Sequence, residues 1–236
     1  YLLQISLNFS EDNENNVTHL AKILDRKGQY NEAMQLLDKH LVKDPESFEL
    51  LKCKASIDKK HGNYERALNT LDQSLEIHNL DQTFQLMKAE IYLSLGNLEK
   101  AGHEFKQILN SHKSIEFMLK GEFYNSYGLV FFQKKKYDLA LQQFEQAAKG
   151  GTQQARAYLL KSITYKKLGD LDGANQAMKE VINFSVFDYE KTGEEFLIQS
   201  YAAKRMGELV KMNEYLEKAK AKGLTEKDLT KAVFGD

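Results

Sequence analysis

Six histidines, one cysteine and five clusters of lysine and arginine are the side chains of this chain with chemical potential. A metal pair on a helix needs two histidines three to five residues apart. His19, His40, His61, His78, His103 and His112 are all spaced more widely than that. Cys53 has no flanking histidine and reads as a small filler rather than a nucleophile. Gly150-Gly151 reads as a turn, not as a loop that cradles phosphate, and no serine elbow occurs. The expectation is a chain that is not an enzyme and takes no metal or cofactor.

The cationic clusters are Arg26-Lys27, Lys59-Lys60, Lys134-Lys135-Lys136, Lys166-Lys167 and Lys204-Arg205. Each falls where a helix is expected to end, and the helix dipole favours cations there by roughly 0.3–1 kcal/mol. Glu32, Glu65, Glu99, Asp138, Asp172 and Glu208 follow on the same edge. That edge is mixed in sign and reads as solvated, not as a nucleic-acid or membrane surface. The whole chain agrees, with 33 basic and 34 acidic residues and a formal charge of -1.

The elements that carry these side chains recur. Ala33, Ala67, Ala101, Ala140 and Ala174 are 34, 34, 39 and 34 residues apart. Twelve residues before each stands another small residue: Ala21, Ala55, Ala89, Gly128 or Ser162. Between them lies a turn, marked by Gly28, Gly62, Gly96, Gly169 and Gly207, with Lys135 in the fourth unit. Apolar residues at helical spacing flank each turn, and Pro45 is the only proline. Each unit is a helix pair too small to bury its own apolar face, so neighbours must stack.

The turns GQYNEA, GNYERA, GNLEKA, KKYDLA and GDLDGA, each opening an apolar helix, resemble those of the tetratricopeptide repeat (TPR) family. The resemblance implies an all-α, right-handed α-solenoid of tandem helix-turn-helix repeats. Six units are expected over 14–222: 14–47, 48–81, 82–115, 121–154, 155–188 and 193–222. Residues 1–11 read as the tail helix of a preceding partial repeat, which implies a parent chain extending upstream, or as an independent capping helix. Residues 223–236 read as a C-terminal capping helix, opened by Thr225 and Asp228. The sixth unit departs from the pattern, with Met212 where the others have alanine.

In this family the first helices line a concave surface, and positions two, five, nine and twelve of each face into it. Carried onto this chain, they offer a polar start, Asn15, Thr18, Lys22 and Asp25, then Glu49, Lys52, Ser56 and Lys59. Further on, Leu86, Leu93, Leu129, Phe132, Leu159, Ile163, Leu197 and Tyr201 form an expected exposed apolar strip. Glu90, Glu122, Arg156 and Lys166 are on its rim, and Asn125 is a further groove position. Such a strip marks a protein-binding surface. Three readings stand: a partner's apolar or amphipathic segment docks there, the groove closes on itself, or the chain's own terminus fills it.

The family's clamp for a C-terminal carboxylate is absent. Its places hold Thr18, Lys22, Cys53, Thr83 and Met87 in one frame, and Lys52, Ser56, Met87, Glu122 and Ser126 in the next. The expected function is therefore an adaptor or scaffold with a protein or peptide partner. The alternative is a structural subunit that docks by its convex face, or a homo-oligomer joined through the N-terminal edge. No apolar run approaches the ~20 residues needed to span a bilayer. A single cysteine excludes an internal disulfide and fits a reducing, cytoplasmic compartment, and an oxidising one nearly as well.

Overall fold

The computed structural model describes residues 13–79, 81–111, 114–149, 153–183 and 192–230. Among them are twelve α-helices, one 3-10 turn and no strand. The expected tail helix 1–11 lies outside the described residues. The chain forms two compact units, residues 1–91 and 92–236.

The first unit holds α1 (Glu14–Arg26), α2 (Tyr30–Leu41), α3 (Phe48–Lys60), α4 (Tyr64–Ile77) and most of α5 (Gln82–Ser94). Helix α1 opens on Asn13, whose side chain accepts from the Asn15 amide at 2.9 Å, and α3 on Ser47, which accepts from Leu50. Both helix pairs reverse at a glycine in the left-handed region, Gly28 at φ +79° and Gly62 at φ +73°. Ala21, Ala33, Ala55 and Ala67 are all fully buried. A side chain no larger than a methyl at these four places lets each pair approach closely. Leu37, Leu50, Cys53 and Ile57 fill one core cluster, and Leu51, Leu71, Phe84 and Ile91 the next.

The second unit holds the end of α5 and then α6 (Leu98–Ser111), α7 (Phe117–Gln133) and α8 (Tyr137–Ala148). These are followed by α9 (Gln154–Leu168), α10 (Leu171–Asn183), α11 (Gly193–Met206) and α12 (Leu209–Ala221). Helix α7 begins at Phe117, one turn before the repeat register, which is how the longer spacing of 39 residues between Ala101 and Ala140 is absorbed. Within each later pair the crossing is close. Ser162 Oγ donates to the Ala174 carbonyl at 2.8 Å, and Ser200 Oγ to the Met212 carbonyl at 2.9 Å. Met212 is only half-buried, yet the same cross-helix bond forms. The first helices α7, α9 and α11 stand side by side. Gly223 ends α12 at φ +85°, and the capping box of Thr225 and Asp228 opens a three-residue 3-10 turn, Glu226–Asp228. Leu229 after it packs on Phe196 and Leu197. The rest of the expected cap, 231–236, lies outside the described residues.

Candidate partner-binding groove

The four groove positions differ sharply in what the fold does with them. Position five is buried almost throughout: Thr18 is 4 % exposed, Leu86 3 %, Asn125 0 %, Leu159 0 % and Leu197 2 %. Stacked first helices meet at this position; Asn125 on α7 donates from Nδ2 to the Gln153 carbonyl at the start of α9, at 3.3 Å. The expectation of one continuous exposed strip is therefore corrected. Leu86, Leu93, Leu129, Leu159 and Leu197 are packing residues, whereas Phe132, Ile163 and Tyr201 stay half-exposed. Lys166 is exposed, and Glu122 and Arg156 are half-buried. Arg156 donates from Nη1 to Gln153 Oε1 at 3.0 Å, and the ring of Phe132 meets Tyr137 edge-on at 5.4 Å.

In the first unit the polar groove positions are tied to one another. Glu90, expected on the rim, is 7 % exposed, and Lys59 of α3 reaches it at 2.5 Å. Asp25 on α1 accepts from Lys60 Nζ at 2.6 Å and lies 2.5 Å from His61 Nε2. Burial raises the Asp25 pKa, but the bonds to Lys60 and His61 outweigh it, and the net shift is downward. Behind them Asp58 is fully buried and accepts from the Tyr30 hydroxyl at 2.5 Å, with Asn63 Nδ2 donating to the Tyr30 oxygen at 2.8 Å. Burial and that carboxylate push the Tyr30 phenol upward. This end of the array spends its charges on holding repeats together.

The second unit keeps a concavity open. A pocket of about 440 Å³ lies against α11, lined by Leu197, Tyr201, Lys204 and Arg205 of the helix and by Glu226 and Leu229 of the C-terminal turn. Tyr201 and Lys204 are groove positions nine and twelve. Among the described residues neither Lys204 nor Arg205 takes part in a salt bridge. Lys204, Arg205 and Glu226 are the exposed charged residues of the lining, and Leu197 and Leu229 its aliphatic ones. Sequence reasoning placed Leu197 and Tyr201 here. It placed Glu226 and Leu229 in a cap over the last repeat and not in the groove lining, because a turn outside the repeat register carries no groove position.

One part of the charge reading also changes. Lys134 does follow a helix, as the C-cap of α7, but Lys136 is the N-cap of α8, where the dipole disfavours a cation. Lys135 between them takes the left-handed conformation, φ +57°, that glycine takes in the other turns. Cys53 is 3 % exposed and its thiol is pushed upward by burial, which fits a packing role. Among the described residues there is no cluster of metal-ligating side chains. Among the same residues no helix is long and apolar enough to cross a membrane.

Family models described as tetratricopeptide repeat match residues 18–47, 60–117, 121–149 and 155–185. A tetratricopeptide repeat protein from Parabacteroides merdae is similar in structure, with a TM-score of 0.65 and 19 % identity, over 98 % of this chain and 88 % of its own. PilW, a widely conserved type IV pilus biogenesis factor, gives a TM-score of 0.63 and 17 % identity over 92 % of this chain and 96 % of its own. YrrB, described as a TPR protein with an unusual peptide-binding site, gives 0.51 and 19 % over 79 % and 92 %. No match is found among curated protein sequences.

Proposed function

We propose that this chain, which belongs to the tetratricopeptide repeat family, is a non-enzymatic adaptor that binds an apolar or amphipathic segment of a partner protein. Repeat arrays of this kind are typically protein-interaction scaffolds, and their concave faces give extended binding surfaces. The observation that carries the finer reading is the α11 pocket. Its lining joins two groove positions, Tyr201 and Lys204, to an apolar floor of Leu197 and Leu229. A single apolar side chain of a partner fills such a concavity, and an acidic neighbour on the same segment meets Lys204 or Arg205. Ile163 on α9 and Phe132 on α7 then extend the contact along the adjoining first helices, with Lys166 and Arg156 beside it. Leu129, Leu159 and Asn125 support the surface from below. A peptide-binding site is described for YrrB on this same fold.

Selection of phage-displayed peptides on the immobilised chain tests the reading. Peptides with apolar anchors should enrich and should lose affinity roughly tenfold against a Tyr201→Ala/Ile163→Glu double variant, a loss of about 1.4 kcal/mol. Circular dichroism of the variant must match the parent. If enriched peptides bind parent and variant alike, the groove is not the site.

A further inference from the structure

A second cavity, of about 620 Å³, lies between α6 and α7 on residues that play no part in the α11 pocket. Its floor is apolar: Val130 is 1 % exposed and Tyr127 6 %, with Phe131 half-buried beside them. Gly102 is part of its lining, and an added methyl there would come only to ordinary contact distance, 3.7 Å from Val130. Its rim is cationic, formed by Lys106, Lys134 and Lys136 with His103. Glu99 is the single acid, 91 % exposed in its side chain and bonded to Lys134 at 2.9 Å. Among the described residues neither Lys106 nor Lys136 takes part in a salt bridge.

The bland account of these lysines is a solvated edge with cations at helix C-termini. It covers Lys134, and Lys106 as an exposed helix residue, but not Lys136. Lys136 stands at a helix N-cap, the wrong pole for a cation, without a side-chain cap bond. Lys135 holds a left-handed backbone that costs a non-glycine residue roughly 1–2 kcal/mol. Two local features, the backbone of Lys135 and the placement of Lys136, work against stability beside this cavity. Strain and misplaced charge of this sort collect where a site needs them.

We propose that this cavity is a second binding site, and that its occupant is an acidic peptide segment that sets an apolar side chain between carboxylates. The apolar side chain lies on Val130, Tyr127 and Phe131, and the carboxylates meet Lys106, Lys136 and Lys134. Glu99 shows which anion the rim accepts. Its carboxylate already sits on Lys134, and that bond, with the field of Lys136 and Lys106, lowers its pKa. It competes with the ligand for the same cation. The cavity is far larger than a free phosphate requires, and its floor has nothing to offer one.

The probe is an acetylated peptide with one phenylalanine between pairs of glutamates, compared with its glutamine counterpart and with inorganic phosphate. Binding is followed by amide shifts of the isotope-labelled chain. The acidic peptide should move Gly102, Val130 and Lys134, weaken roughly tenfold in Lys106→Glu and in Lys136→Glu, and weaken with salt. Glu99→Gln should tighten it several-fold, a gain that no loss of folding can imitate. The glutamine peptide should not bind. Equal binding by the charge-reversal variants, or the same shifts from phosphate alone, would overturn the proposal. So would shifts confined to Tyr201 and Leu229, which would instead support the α11 pocket.

Discussion

Gly128 on α7 faces the ring of Phe144 on α8 so closely that a methyl group there would come within 2.4 Å of Cε1. Phe144 is fully buried and cannot retreat without opening the core of the fourth repeat. Gly128→Ala should therefore destabilise the protein by about 1–3 kcal/mol, although alanine is the better helix former. Gly102→Ala, also in a helix, meets only ordinary contacts and should gain about 0.5–1 kcal/mol. Urea denaturation of the two variants gives opposite shifts if close packing decides at Gly128. Like shifts would show that it does not.

That pair also marks what the sequence made legible. Small residues at fixed spacing, Ala21 with Ala33 or Ser162 with Ala174, announce a close helix crossing without any coordinates. Glycine announces the reversal that follows. Exposure on the groove face was not legible, because it depends on how tightly the next first helix lies alongside. Leu159 and Ile163 are both apolar groove positions of α9, yet one is buried and the other is not. The α11 pocket was half legible: Tyr201 and Lys204 follow from the register, whereas Leu229 comes from a turn outside it. Lys136 was misread because the side of a turn on which a residue falls reverses the sign of the dipole it feels.

Lys135 offers a test of strain. Its left-handed backbone is shared only with Gln153 among the described non-glycine residues, and its counterparts in the other turns are glycine. Lys135→Gly removes the strain and adds chain entropy to the unfolded state, so the net gain should be about 0.5–1 kcal/mol. Thermal melts of the two chains give the answer. A loss of stability would mean that the lysine side chain contributes more than its backbone costs.

Tyr30 and Asp58 join the first repeat to the second through a hydroxyl held on a fully buried carboxylate. Tyr30→Phe removes the donor and leaves Asp58 with weaker company, Asn63 at 3.4 Å and Arg66 at 3.7 Å. A hydrogen bond to a charged group contributes about 1.5–3 kcal/mol, and a loss in that range is expected. The urea midpoint should fall, with the helical signal of the native protein unchanged. A midpoint within error of the parent would show that Asp58 is satisfied without Tyr30.

Asp25 makes part of the first unit's stability depend on pH. Its folded pKa lies below the ordinary carboxylate value, because the bonds to Lys60 and His61 outweigh the effect of burial. A depressed carboxylate stabilises the fold above its unfolded pKa, and the contribution is lost as pH falls through the folded value. Asp25→Asn should therefore cost stability near neutrality, and the difference from the parent should shrink below about pH 4. Urea midpoints of both chains across that range test the sign. A difference that stayed constant with pH would assign it to packing alone.

Cys53 allows opening of the first repeats to be timed. It sits in the core cluster with Val17, Leu50 and Ile57, its sulfur 3.8 Å from the Thr18 carbonyl, and only 3 % of it meets solvent. Burial raises its pKa, so the folded chain holds less of the reactive thiolate at neutral pH than a free cysteine would. A disulfide reagent should label the native protein slowly, at a rate that saturates with reagent concentration as opening becomes limiting. Asp25→Asn and Tyr30→Phe each loosen a contact between the first two repeats, and below saturating reagent should speed labelling by the factor that their loss of stability sets in the opening equilibrium. Gly128→Ala, in the second unit, separates local from global opening. If Cys53 reports only on its own repeats, that variant leaves the rate unchanged; if the chain opens as one body, the rate rises with the others.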